Sequence, residues 1–137
     1  PEITLGLDLY KNIENYQKVD SIHDQLKDQK KGFVASAVWG SLKKPKDFKL
    51  GVYYMYLERY SAVDFIAQND WARWDYSNMG SPDGRLTNYK GIEFIAAYKL
   101  NKNMKLSMRY FKVEQLKAYG PALENGDRIR FDIDIWF

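Results

Sequence analysis

Asp132 and Asp134, two residues apart near the end of the chain, are the pair whose type and spacing best suit chemistry. In an extended strand, residues i and i+2 share one face, so the two carboxylates could act as a pair or hold a cation. Arg128 and Arg130 follow the same spacing, and a mixed-charge wall facing water explains all four residues better. His23, the only histidine, lies in SIHDQLKD without partners at metal-ligand spacing, and we interpret it as a solvated loop residue. The sequence therefore predicts a protein without enzymatic activity, metal or cofactor.

Four aromatic residues in one polar stretch form a second candidate site: Phe65, Trp71, Trp74 and Tyr76. Their rings could stack on sugars, or the segment could fold inward and constrict a pore. Packing of a loop on itself accounts for the same residues equally well, so these interpretations stay open.

Composition excludes several classes of protein. The mean hydropathy is -0.56, and no apolar run is long enough for a membrane helix. The absence of cysteine excludes disulfides and thiolate metal sites. The net charge of +3 is small, and lysine is interspersed with aspartate, so we expect no nucleic-acid partner. Aromatic residues make up 16% of the chain, which suits a membrane barrel with interfacial girdles.

The charged residues near the end of the chain lie in a segment with strict alternation, RIRFDIDIWF. Its apolar positions are Ile129, Phe131, Ile133, Ile135 and Phe137. Successive side chains of a strand point to opposite faces, so this segment has one apolar face and one mainly charged face. A transmembrane β-barrel needs this pattern, with apolar residues toward lipid and polar residues toward a wet lumen. A soluble edge strand could look similar, but it rarely ends on a bare aromatic residue.

The same alternation predicts six strands, each near the length that a tilted membrane strand requires. They cover residues 3–10, 32–42, 47–60, 89–100, 104–111 and 128–137. The second strand is apolar on both sides, so the pattern leaves its lipid-facing side undecided. Only the polar stretch 19–26 has anything close to a helical period. The fold class predicted is an all-β, antiparallel transmembrane barrel segment.

The predicted connections alternate in length. Short turns cover residues 43–47 and 100–103, and long polar connections cover 10–31, 60–88 and 112–127. Bacterial barrels place short turns in the periplasm and long loops outside, and a soluble sandwich has no reason to sort them. Aromatic residues also fall at both predicted ends of the strands. The periplasmic band is Phe48, Tyr98, Trp136 and Phe137, and the outer band is Tyr54, Tyr56, Tyr60, Tyr89, Tyr110 and Phe111.

The polar positions of the predicted strands would line the lumen of such a barrel. They are Asp8, Lys49, Glu93, Lys99, Lys105, Arg109, Arg128, Arg130, Asp132 and Asp134. This mixture of signs predicts a pore for passive diffusion of small hydrophilic solutes with weak charge selectivity. The alternatives are a structural sleeve around a partner such as an electron-carrying cytochrome, an envelope anchor, or a soluble ligand-binding barrel whose apolar face points inward.

Two runs of the chain resemble the C-terminal part of a Gram-negative porin family of outer-membrane β-barrels. They are LERYSAVDFIAQNDW and GRLTNYKGIEFIAAYKLNKNMKLSMRYF, followed by the strand that ends in phenylalanine. Asn88 and Gly91 match the residues that open the next hairpin in that family. The family's acidic turn is reduced here to QNDW, with Asp70 alone, so no ion site is carried over. The resemblance implies a bacterial outer-membrane location and a segment of a large single-chain barrel.

The resemblance also implies an assembly signal at the end of the chain. In outer-membrane barrels the assembly machinery reads a final strand that closes on phenylalanine, which corresponds here to Phe131, Ile133, Ile135 and Phe137. The residues of the signal alternate along the strand, so their side chains are expected on the lipid face.

Six strands are too few to close a bacterial barrel, for which roughly eight is the minimum. An open sheet in lipid leaves backbone groups unpaired, each at a cost of several kcal/mol. Further strands before Pro1, several chains in one barrel, or strands within the long connections would resolve this. We favour upstream sequence, and no signal peptide opens the chain. Residues 1–137 are therefore predicted to be the C-terminal portion of one barrel domain, and a homo-oligomer stays open.

Overall fold

The computed structural model describes residues 1–22, 24–61, 87–118 and 123–137, and it is all-β. Six strands form one antiparallel sheet: β1 (Ile3–Lys11), β2 (Lys31–Gly40), β3 (Phe48–Leu57), β4 (Tyr89–Asn101), β5 (Met104–Gln115) and β6 (Asn125–Ile135). In the stretch 19–26 the structure has a 3₁₀ turn, Asp24–Leu26. Among the described residues no helix has the length and apolar character needed to cross a membrane.

Each strand pairs with the next strand in the chain, so the sheet order is β1-β2-β3-β4-β5-β6. Consecutive antiparallel strands reverse direction at every connection. The two short turns therefore lie at one edge of the sheet, which we call the short-turn end, and the three longer connections lie at the other, the long-connection end. Six predicted antiparallel strands are confirmed, and the sheet they form is open within the described residues.

Several predicted strand boundaries are wrong. The third strand ends at Leu57, and the predicted connection 112–127 is too long because β5 continues to Gln115 and β6 begins at Asn125. Val113 pairs with Gly126 across that extension, which continues the alternation of buried and exposed residues. The second strand ends at Gly40 rather than residue 42. Gly40 has φ +84, and a Cβ there would collide with the Phe48 carbonyl oxygen.

One face of the sheet, the apolar face, carries only apolar or aromatic side chains over a continuous band. Directly paired residues share a face, so the register of all five strand pairs defines it. The band takes alternate residues from Ile3 to Leu9 on β1, Phe33 to Trp39 on β2, Phe48 to Tyr56 on β3, Ile92 to Leu100 on β4, Met104 to Tyr110 on β5 and Ile129 to Ile135 on β6. The ambiguous side of β2 is thereby resolved, since Phe33 and Trp39 lie opposite Leu9 and Ile3.

The opposite face, the charged face, is buried where it approaches the long-connection end. Leu57, Tyr89, Phe111 and Val113 pack there into an apolar cluster. Tyr89 and Phe111 are both 0% exposed, so their assignment to an outer aromatic band is wrong. The reason is their register: Tyr89 pairs with Leu57, and Phe111 pairs with Glu93, all on the charged face.

Hydrogen bonds join the connections at the long-connection end. The Tyr60 amide donates to the Gln29 carbonyl oxygen at 2.7 Å, and Asn12 Nδ2 donates to the Tyr60 carbonyl oxygen at 2.9 Å. Gln25 Nε2 reaches the Ala118 carbonyl oxygen at 3.4 Å. The β1–β2 connection is therefore tied to the end of β3 and to the β5–β6 connection.

Asn88 fixes the entry to β4 at this end. It is buried and has φ 65, a left-handed conformation that asparagine tolerates better than most residues. Its Nδ2 donates to the Lys117 carbonyl oxygen at 2.8 Å, and its Oδ1 accepts from the Lys117 amide at 3.0 Å. One side chain thus links the start of β4 to the segment that follows β5.

Candidate functional site

All ten residues predicted to line a lumen lie on the charged face. The strand register brings them to the same side, from Asp8 on β1 to Asp134 on β6. This follows from the pleat, because paired residues and residues two apart on one strand share a face. A role as a pore wall stays a prediction, whereas their common face is a property of the fold.

Three arginines come together on β5 and β6. Arg109 lies directly opposite Arg130, and Arg128 lies opposite Phe111, one row closer to the long-connection end. Like charges directly opposite each other destabilise a sheet. Two acidic neighbours offset this repulsion. Arg109 Nη1 is 3.6 Å from Glu93 Oε1, and Arg130 Nε donates to Asp132 Oδ1 at 2.9 Å.

Glu93 marks the boundary between the apolar cluster and the basic residues. Its side chain is 6% exposed, while that of Arg109 is 38% exposed. A buried carboxylate is costly unless a cation and hydrogen bonds compensate it, and the Arg109 guanidinium supplies the cation. The charged face is therefore covered on the side of Glu93 that faces the long-connection end and opens toward solvent on the other side.

A second cross-strand ion pair lies nearer the short-turn end. Lys105 Nζ is 2.7 Å from Asp134 Oδ2, directly across the β5–β6 pair, and 5.9 Å from the centre of the Trp136 ring. Both side chains are partly exposed, so the pair contributes about 1 kcal/mol or less to stability. Its chemistry is that of a solvated wall rather than a reaction centre.

The remaining predicted wall residues are dispersed. Asp8 is exposed on β1, four strands from Arg109. Lys49 lies opposite Ala97 on β4, and Lys99 Nζ donates to the Leu42 carbonyl oxygen at 3.4 Å. These three residues join no common cluster. The basic and acidic groups thus cover the face without converging on one point.

The sequence pattern missed the apolar cluster on this face. Tyr53 and Met55 lie against the cluster, at strand positions that share a face with Lys49. The signal was present in the run VYYMYL, whose polar-side positions carry no charge. An apolar residue on the otherwise charged side of a strand indicates that something covers it.

The suggestion that Asp132 and Asp134 hold a cation has no support from a metal-binding group in the described part of the chain. No three acidic or histidine residues within it come close enough to hold a metal ion, so Asp132 and Asp134 stand apart from any such group. Several predicted residues lie outside the described ranges: His23, Phe65, Asp70, Trp71, Trp74 and Tyr76.

Comparisons with protein-family models, with curated proteins and with solved structures found no match to this chain. The resemblance to Gram-negative porins therefore rests on the quoted sequence runs. The fold itself is a two-faced sheet, with one face apolar and exposed and the other charged and partly covered.

Proposed function

We propose that this chain is part of an outer-membrane β-barrel that forms a water-filled pore for passive diffusion of small hydrophilic solutes. One observation carries the proposal. Across all six strands, the apolar face has no charged side chain within its band, while the charged positions at those levels lie on the other face. Lipid on one side and water on the other would favour this separation.

The exposure of the apolar face supports a lipid environment. Leu5 is 76% exposed, Phe131 74% and Ile133 66%. Soluble monomers rarely expose contiguous apolar patches larger than a few hundred Å², and this band continues over every strand. A soluble ligand-binding barrel would bury the apolar face inside, whereas here the charged face holds the buried cluster.

The height of the band approaches that of a membrane barrel on the two central strands. On β3 and β4 the band spans eight residues, about 27 Å along the strand, and on the other four strands it spans six residues, about 20 Å. For strands tilted by about 35–45°, the height along the membrane normal is about 19–22 Å on β3 and β4 and about 14–17 Å on the others. The central strands thus come close to the apolar band of about 25 Å that outer-membrane barrels carry.

The band also shifts steadily across the sheet. Through the paired residues of the sheet, Ile3, the first band residue on β1, lies in the same row as Phe131 on β6. On β6 the band continues four residues beyond Phe131, toward the short-turn end, to Ile135. A shift of four residues is about 14 Å, and five strand spacings cover about 24 Å. Their ratio corresponds to a strand tilt of about 30°, close to the tilt of membrane barrels.

The charged face supplies the features of a pore wall. Solutes would cross by diffusion through water. The width of the pore would exclude large solutes, and the fixed charges of the wall would favour solutes of one sign. The open part of the face has ion pairs such as Arg130–Asp132 and Lys105–Asp134, so its charges largely compensate one another. The apolar cluster around Phe111 covers the charged face near the long-connection end, so the surface that water can reach lies toward the short-turn end.

Recording from planar bilayers tests the proposal. The purified full-length protein is expected to give stepwise ion conductance. A folded, inserted barrel without conductance would contradict the pore and favour the sleeve or anchor. Failure of the folded protein to enter bilayers would contradict the membrane location itself.

A further inference from the structure

A shallow groove crosses the apolar face near the short-turn end. Ala96 lies on its floor because its methyl group leaves a gap between Leu50 and Met108 in the same row. Larger side chains from the neighbouring row and strand form its walls: Tyr98, Leu106 and Phe131. Under the floor of the groove, β4 pairs with both β3 and β5, so its backbone groups are committed to the sheet; among the described strands that line the groove only β6 has an outer edge.

Basic turns lie at the end of this groove. The Lys46 amide donates to the Lys99 carbonyl oxygen at 2.6 Å, which holds the β2–β3 turn beside the end of β4. Lys102 lies in the next turn, between β4 and β5. The side chains of Lys46 and Lys102 are exposed, and neither makes an ion pair within the described residues. Both lysines therefore lie in the turns just beyond the apolar band.

We propose that this groove and these two lysines bind an anionic phospholipid of the leaflet at the short-turn end. This inference rests on the proposed membrane location. An acyl chain fits the groove, since it has no polar groups to satisfy, whereas a peptide would leave its amides unpaired. The phosphate would lie near Lys46 and Lys102, at the level of the two short turns, just beyond the end of the apolar band. Basic residues at a membrane surface attract anionic headgroups.

Native mass spectrometry of the full-length protein, released from mixed bilayers of phosphatidylcholine and phosphatidylglycerol, tests the headgroup site. The wild-type protein is expected to retain phosphatidylglycerol preferentially. Changing Lys46→Gln and Lys102→Gln together should lower that preference by about fivefold per lysine. The matched control, Lys11→Gln with Lys112→Gln, removes two exposed charges at the long-connection end and should leave the preference unchanged.

A second pair of variants tests the groove. Ala96→Phe fills it and should reduce the number of retained lipids of both types, whereas Ala35→Phe, elsewhere on the apolar face, should not. Insertion without a preference for phosphatidylglycerol, or equal effects of the two lysine pairs, would overturn this inference and leave the pore proposal intact. Failure to insert into any bilayer would instead refute the proposed function on which it rests.

Discussion

Replacing Leu106 by arginine should separate the two faces of the sheet more sharply than any other single change. Leu106 lies on the apolar face between Tyr98 and Ile133, near the middle of the β5 band. Ser107, the next residue, lies on the charged face opposite Asp132. Leu106→Arg is therefore expected to lower the free energy of unfolding by about 2–4 kcal/mol, and Ser107→Arg by much less.

The surroundings of Leu106 narrow this range. No acidic residue shares the apolar face within the β5 band, and the nearest charge on that face of the strand is Lys112, about 20 Å away. The new guanidinium would thus have no partner, but its long side chain can lean toward the short-turn end past Met104. We expect a loss in the lower half of the range, about 2–3 kcal/mol.

Reversible urea titration in lipid vesicles measures this loss, with tryptophan fluorescence and heat-modifiable gel mobility as independent readouts. Leu106→Ala controls for the lost apolar side chain without adding a charge. Equal losses from Leu106→Arg and Ser107→Arg, or a larger loss at Ser107, would refute the assignment of the two faces.

Three further changes address conduction, folding and assembly. Changing Arg109, Arg128 and Arg130 together to glutamine should shift the reversal potential toward cation preference without abolishing current, because the acidic residues of the wall stay; an unchanged potential would remove these arginines from the conduction path. Asn88→Gly keeps the left-handed backbone but loses both side-chain hydrogen bonds, so urea titration should report a loss of about 1–3 kcal/mol, and an unchanged midpoint would contradict that role. Phe137→Ala should lower the heat-modifiable, folded fraction in outer membranes if the final strand is the assembly signal, and normal levels would count against it.

The strands could be predicted from sequence because alternation is a local property. Five of the six segments have their own period of two, the β2 segment is a short apolar run, and the connections between them differ clearly in length. The extension of β5 through Val113 was missed because KVEQ contains only one apolar residue. Pairing with β6, rather than residue type, decides that these residues are strand.

The faces of the strands were harder to predict. The β2 segment is apolar on both sides, and only its register opposite β1 decides that Phe33 shares a face with Leu9. Tyr89 and Phe111 were misassigned for a similar reason, since aromatic residues suit both an interfacial band and a buried cluster. A residue's face depends on the register of its neighbours, which the sequence of one strand does not contain.

In the candidate site too, the local pattern predicts which residues share a face, but not which of them make contact. That Lys105 and Asp134 share a face follows from counting along each strand, whereas their 2.7 Å ion pair follows from the β5–β6 register. The burial of Glu93 could not be predicted either, because it depends on tertiary packing rather than on the pattern of one strand. Sequence gives the faces of a regular strand, and tertiary packing decides which parts of them water reaches.

Thiol modification during bilayer recording tests the central claim most directly, since residues 1–137 contain no cysteine. Any cysteine elsewhere in the full-length protein would first be replaced by serine. A cationic, water-soluble methanethiosulfonate reagent would be added to the full-length protein carrying Ser107→Cys or, separately, Met108→Cys. Ser107 lies on the charged face and Met108 on the apolar face of the same strand. We predict stepwise reduction of single-channel conductance at position 107 and no change at position 108. Equal block at both positions, or block at position 108 alone, would contradict a sheet with one face in water and the other in lipid.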